Sequence, residues 1–126
     1  MRSYAAFKIW HPSISPESVS QRLQIPAHSS LSEGTVVDSA LPATVGNHWF
    51  RASQSEAAID DLLKLFMDRE AALLTLIAAG AQVTLTCYLH PDSSLNLFSD
   101  AQARFLSRGR IAVQLNWLSD ELSPTR

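Results

Sequence analysis

Two stretches of the chain alternate apolar and polar residues with a period of two. In one, Val83, Leu85, Cys87 and Leu89 interleave with Gln82, Thr84, Thr86 and Tyr88. In the other, Ile111, Val113, Leu115 and Trp117 interleave with Ala112, Gln114, Asn116 and Leu118. Successive side chains of a strand point to opposite faces, so this rhythm predicts strands buried on one face only. Tyr4 to Trp10 repeats it, with Ala5, Phe7 and Ile9 in one phase and Tyr4, Ala6, Lys8 and Trp10 in the other. Shorter strands are expected at His48 to Ala52 and at Leu95 to Phe98.

Between these segments the period changes to that of a helix. Ile59, Leu62, Leu63, Phe66 and Met67 fall at i, i+3, i+4, i+7 and i+8, an amphipathic stripe. Ser53-Gln54-Ser55-Glu56 reads as a capping box that opens this helix. Asp68-Arg69-Glu70 either continues it or marks a break, and Leu73, Leu74 and Ile77 form a second stripe ended by Gly80. An earlier helix is expected after Ser15, with Pro16 at its first position, Glu17 at the positive end of the dipole, and Val19 and Leu23 facing inward. Pro26 stops it. Ser99 and Gln102 predict another capping box, followed by inward Phe105 and Leu106 and a stop at Gly109.

These elements predict a single α+β domain over residues 1–126, an antiparallel or mixed sheet with helices on one face. Residues 27–47 form a long connection rich in Ser, Thr, Pro and Gly, a length that in compact domains is usually functional or mobile. The tail, 119–126, is polar. The passage Ile9-Trp10-His11-Pro12-Ser13 is echoed by Leu89-His90-Pro91-Asp92-Ser93. Two strand–helix–strand halves joined by the middle helix suggest a ferredoxin-like arrangement with two pseudo-repeated halves. Parallel first strands at the sheet centre would then place His11 and His90 at the same sheet end.

Composition narrows the function classes. Hydrophobic residues make up 46% and charged residues 17% of the 126, which supports a folded core and argues against disorder. Ten Lys plus Arg against twelve Asp plus Glu gives a net charge of -2, without the basic footprint of a nucleic-acid binder. The longest apolar-leaning run, Ala71 to Ala81, is short of the roughly 20 residues that span a bilayer, so no membrane partner is expected. The N-terminal residues lack the apolar stretch of a signal peptide, and Cys87, the single cysteine, cannot form an intrachain disulfide. A cytoplasmic location is the expectation.

The first strand, Leu23-Gln24-Ile25-Pro26, Glu33-Gly34, Trp49-Phe50-Arg51-Ala52-Ser53 and the Leu/Ile-rich middle helix together resemble bacterial proteins grouped as domain of unknown function 4279. The likeness extends over nearly the whole chain. It implies a small bacterial α+β protein and brings no catalytic residue to any position. The 35–47 loop departs from the family's shorter connections.

Candidate chemistry is sparse. No Gly-rich phosphate loop, dinucleotide fingerprint, Cys-x-x-Cys pair or Gly-x-Ser-x-Gly elbow occurs, and no cofactor is expected. His11, His28, His48 and His90 lack the spacing of a metal motif, and no metal is assigned. Cys87 falls in the apolar phase of its strand and reads as a buried structural thiol. Adjacent helical residues diverge by about 100°, so Asp60 and Asp61 read as a solvated helix face rather than a converging acid–base pair. Arg104, Arg108 and Arg110 gather near a helix C-terminus, where the dipole favours cations.

The outward phase of the sheet is more suggestive. Tyr4, Lys8, Trp10, Thr84, Thr86, Tyr88, Gln114 and Asn116 share it, and His48 and Phe50 are expected to join them. Amphipathic aromatics among adaptable hydrogen-bonding groups are the mixture found in protein interfaces, although cross-strand pairs stabilise open sheets with the same residues. The leading reading is therefore a non-enzymatic module. It would use the outer face, centred on Tyr4, Trp10, His48, Phe50, Tyr88 and Asn116, and the 27–47 loop to bind a protein partner or a second copy of itself. The alternative is a small-molecule-binding protein or enzyme with a pocket at the sheet end lined by His11, His48, His90 and Asp92. An immunity-type or regulatory protein is the third reading.

Overall fold

A computed structural model describes residues 3–89 and 97–117. The strands are β1 (Ser3–His11), β2 (Ser29–Leu31), β3 (Asn47–Ser55), β4 (Gln82–Leu89) and β5 (Ala112–Trp117). The helices are α1 (Pro16–Leu23), α2 (Ala58–Met67), α3 (Glu70–Ala78) and α4 (Asp100–Arg108). One mixed sheet holds all five strands in the order β2-β3-β1-β4-β5, and the class is α+β. β1 is antiparallel to both of its neighbours, whereas β4 and β5 are parallel and joined through α4.

The two-residue rhythm decides which side of this sheet the helices cover. Ala5, Phe7 and Ile9 of β1, Trp49 of β3, and Val83, Leu85, Cys87 and Leu89 of β4 are buried, with Ala5, Phe7, Leu85 and Cys87 fully enclosed. The same cluster takes Val19 and Leu23 from α1, Leu62, Leu63 and Phe66 from α2, Leu73 and Leu76 from α3, and Phe105 and Leu106 from α4. Phe66 is the centre of its aromatic part, 4.1 Å from Phe7 and 5.8 Å from Trp49 between ring centroids. The Trp49 indole N–H finds a partner in Ser20 Oγ at 2.9 Å, so the largest buried ring carries no unmet donor.

Several local expectations hold. Ser15 caps α1 by accepting from the Ser18 N–H at 3.2 Å, with Pro16 in the first turn. Ser99 and Gln102 complete the capping box of α4 in both directions. Gly80 adopts a φ of 110° after α3, and the Ala81 and Gly80 N–H groups return to Leu76 and Ile77 as a Schellman turn.

Other expectations are corrected. The Ser53–Glu56 capping box does not form, because β3 runs on to Ser55 to stay paired with β1 and α2 begins only at Ala58. Ser55 Oγ instead accepts from the Ala57 N–H at 3.2 Å and donates to Asp61 at 3.0 Å. The polar Asp68-Arg69-Glu70 stretch is a break. Arg69 turns inward there, donating through Nε to the Leu23 carbonyl at 2.9 Å and through Nη1 to that of Leu65 at 3.0 Å. It thereby satisfies carbonyls that helix ends leave open. Leu97 and Phe98 are not in a strand, and the rest of the expected 95–98 strand, like His90, Asp92 and the tail from 118 onward, lies outside the described residues.

The parallel pairing expected of the first strands of two repeated halves is also corrected, since β1 and β4 are neighbours but antiparallel. The physical reason is β2, a three-residue strand inside the 27–47 connection that antiparallel pairing with β3 makes visible. It inserts one more reversal, so the chain runs as a β-α-β-β-α-α-β succession from β1 to β4, to which α4 and β5 are added.

Candidate functional site

Register brings the suggested contact residues onto one face. Tyr4 lies opposite Gln54 and Tyr88, and Tyr88 opposite Asn116, which forms one row across β3, β1, β4 and β5. Lys8 lies between Phe50 and Thr84, and Trp10 between His48 and Gln82, forming further rows. The row between them is built from the small side chains of Ala52 and Ala6 followed by Thr86 and Gln114.

The two ends of this face differ. At one end the Tyr4 and Tyr88 rings meet edge to face, 5.1 Å between centroids, and Tyr4 remains exposed. Toward the other end Lys8 Nζ sits 5.4 Å from the centre of the Phe50 ring, a cation–π arrangement, and His48 stacks on Phe50 at 6.4 Å. Trp10 is half-buried there because the chain between β2 and β3 folds over it. Its indole N–H donates to the Val45 carbonyl at 3.0 Å, and His48 Nε2 reaches the same oxygen at 3.2 Å. Gly46, with φ at 72°, lies so close that a Cβ there would clash with the Trp10 indole. Trp10 is thus first an anchor for the loop.

The loop, residues 32–46, has an internal order that its composition did not announce. The Gly34 N–H donates to the Thr44 carbonyl, and the Thr44 N–H and hydroxyl both donate to the Thr35 carbonyl, each at 2.8 Å. The Glu33 N–H donates to the side chain of buried Asn47 at 2.9 Å, and Asp38 closes a turn through the Ala40 and Leu41 N–H groups. On this frame Val36, Val37, Leu41 and Val45 are 62%, 69%, 60% and 72% exposed. Read as a sequence, this connection is only long and rich in Ser, Thr, Pro and Gly. The available signal was four aliphatics spaced through an otherwise polar connection.

His11 and His48, the members of the expected histidine pocket among the described residues, do not come together. His11 is buried on the helix side of the sheet, whereas His48, beside Trp10 in the register, is on the outer side. His11 Nε2 donates to the Ala79 carbonyl at 2.8 Å, which leaves Nδ1 to accept from the Ser13 and Ile14 N–H groups at 3.0 and 2.8 Å. Both ring nitrogens are occupied in holding a turn. β4, the strand that leads toward His90, ends beside Tyr4, at the other end of β1 from His11. His28 likewise accepts from the Ala52 N–H at 3.0 Å. No group of three or more His, Cys, Asp or Glu suited to a metal ion occurs among the described residues.

The remaining candidates are structural. Cys87 is fully buried, and burial pushes its thiol up to about 11, away from the thiolate that a nucleophile needs. Arg108 is engaged by Glu70 in a two-pronged pair, Nε to Oε2 at 2.7 Å and Nη2 to Oε1 at 3.0 Å, tying α4 to the start of α3. Asp60 accepts from Gln102 while Asp61 accepts from Ser55, so the two carboxylates serve different partners. Among the described residues no helix is long and apolar enough to cross a membrane. No family model, curated protein or solved structure matches this chain.

Proposed function

We propose that this protein is a non-enzymatic binding module that engages a protein partner through the 32–46 loop and the adjoining outer face of the sheet. One observation carries the reading: an ordered loop, fastened to Trp10, His48 and Asn47, holds four aliphatic side chains in solvent. Aliphatic surface of this kind is unfavourable in water and becomes favourable when a partner covers it. The loop's hydrogen bonds lower the ordering cost that a mobile loop would incur on binding. Beside it, Phe50, His48 and Lys8 supply the aromatic and polar surroundings typical of an interface.

The test uses the native lysate and two variants. Leu41→Asp with Val37→Asp changes side chains that are already solvated, so the melting temperature should move little. A partner retained by the wild-type protein should be lost at least tenfold in the double variant and weakened by Phe50→Ala. Lys64→Ala, on α2 at the helix side, should retain it. Retention of every partner by the loop variant, at an unchanged fold, would remove the proposal.

A further inference from the structure

The two edges of the sheet are unlike. β2 presents only Ser29–Leu31, and a very short edge strand is one of the ways proteins avoid unwanted pairing. β5 presents six residues, Ala112–Trp117, with β4 on one side and no strand among the described residues on the other. Its sequence, Ala-Val-Gln-Leu-Asn-Trp, has no proline and no charge, so it lacks the devices that usually protect an edge. Register with β4 places Val113, Leu115 and Trp117 in the phase of Leu85, Cys87 and Leu89, on the helix side. They are nevertheless 38%, 47% and 48% exposed. The strand therefore offers both a row of backbone donors and acceptors and a row of apolar side chains.

We infer that β5 pairs antiparallel with β5 of a second copy, about a two-fold axis that is perpendicular to the sheet and passes between the two Leu115 residues. In this register Leu115 faces its own copy, Val113 faces Trp117 of the copy, and Gln114 faces Asn116 on the outer side. Facing residues in antiparallel strands share a face, so all three apolar residues meet apolar partners and both amides meet amides. Sliding the pair by two residues one way sets Trp117 against position 111, where Ile111 is already buried in its own core. Sliding it the other way carries Val113 past the end of the partner strand. A second copy is the occupant because the strand is complementary to itself and brings no like charges together.

The exposed part of the three side chains comes to roughly 250 Å² per chain, from the area an aromatic or large aliphatic side chain can bury. That is well below the ~800 Å² per partner of a standard stable interface. The dimer is therefore reversible, exchanging with monomer in the micromolar range or above. Pairing would continue the sheet through both copies with the outer faces on the same side. The 32–46 loops, next to β2 and β3, would then lie at its far ends. The inference does not depend on the loop binding anything.

Sedimentation from low micromolar to several hundred micromolar tests it. The wild-type mass should rise toward that of a dimer, and Leu115→Lys, which sets two like charges at the axis, should stay monomeric with an unchanged melting temperature. As a second measurement, Leu115→Cys under mild oxidation with diamide should give a covalent dimer several-fold faster than Gln114→Cys, whose facing residue is Asn116. Buried Cys87 does not compete. Leu41→Asp should dimerise like the wild type, which separates this contact from the loop. A wild-type protein that stays monomeric at the highest concentration, a dimer that survives Leu115→Lys, or equal cross-linking at 114 and 115 would overturn the pairing.

Discussion

β4 and β5 are adjacent, parallel, and written with the same alternation, yet they meet different fates. In β4 the apolar phase is enclosed: Leu85 and Cys87 have no exposed surface, and Val83 and Leu89 almost none. In β5 the residues facing the same side, Val113, Leu115 and Trp117, are exposed. Alternation sets the side toward which a side chain points, because the pleat is local. Whether anything lies on that side depends on the helices, which assemble over the central strands and leave the last one beyond their reach. The sequence-based expectation that Val113 would be covered like Cys87 is therefore corrected, while its direction stands.

The sharpest test of this difference is one truncation on each strand. Leu85 lies opposite Phe7 in the filled centre, and removing three carbons there should cost about 2–5 kcal/mol, transfer plus cavity. Leu115→Ala removes the same atoms from a half-solvated site and should cost less than about 1 kcal/mol at concentrations where the protein is monomeric. Denaturant melts of the two variants measure both. Equal losses would mean that β5 is as enclosed as β4.

Cys87 gives the comparison a pH signature. Its folded-state value, about 11, lies above the 8.5–9 expected of a thiol in the unfolded chain. The unfolded state therefore releases its proton first as pH rises. The stability contributed by keeping the thiol neutral is complete below about pH 8.5 and is lost progressively as pH climbs toward 11, a total of about 2–3 kcal/mol. Stability measured at pH 8 and pH 10.5 should fall further in the wild-type protein than in Cys87→Ala, and the folded thiol should resist thiol reagents at pH 8. A parallel decline in both proteins would show that other groups carry the alkaline loss.

What could be read from the chain follows from the range of each interaction. β4 was legible to the residue because one phase is fully apolar and the flanking turns are strong. α1 and α4 were legible because Ser15, Pro16, Ser99 and Gln102 act within one turn. β2 was not, since Ser29–Leu31 has no periodicity of its own and is a strand only because β3 pairs with it. The outer-face residues were placed correctly by phase, but the loop that covers Trp10 was not foreseen. Its hold depends on Val45, thirty-five positions away, and on the missing Cβ of Gly46. The parallel run expected of the first strands failed for a similar reason: strand direction is a tertiary property, and the His-Pro echo says nothing about it.

Effects smaller than that of the Leu85 truncation lie in the turns that feed the two strands. Both α3 and α4 end in Schellman turns, and Ile111 and Arg110 return N–H bonds to Leu106 and Ser107 as Ala81 and Gly80 do to Leu76 and Ile77. The left-handed position is Gly80 before β4 but Arg110, at φ 48°, before β5. Gly109, expected as the stop, has an ordinary negative φ. It is small for another reason: a Cβ there would crowd Ile111 at 3.1 Å and Ile77 at 3.3 Å. Arginine in a left-handed conformation bears a steric cost that glycine does not, so Arg110→Gly should stabilise the protein by roughly 0.5–1 kcal/mol despite the looser unfolded chain. Gly80→Ala, whose Cβ would make only ordinary contacts with His11 and Pro12 at 3.8 Å but faces the same backbone requirement, should destabilise by about 1 kcal/mol or more. Opposite signs at equivalent positions, read from thermal melts of the two variants, would place the strain on the β5 side of the molecule. The same sign at both would mean that the two turns do not share one geometry in solution.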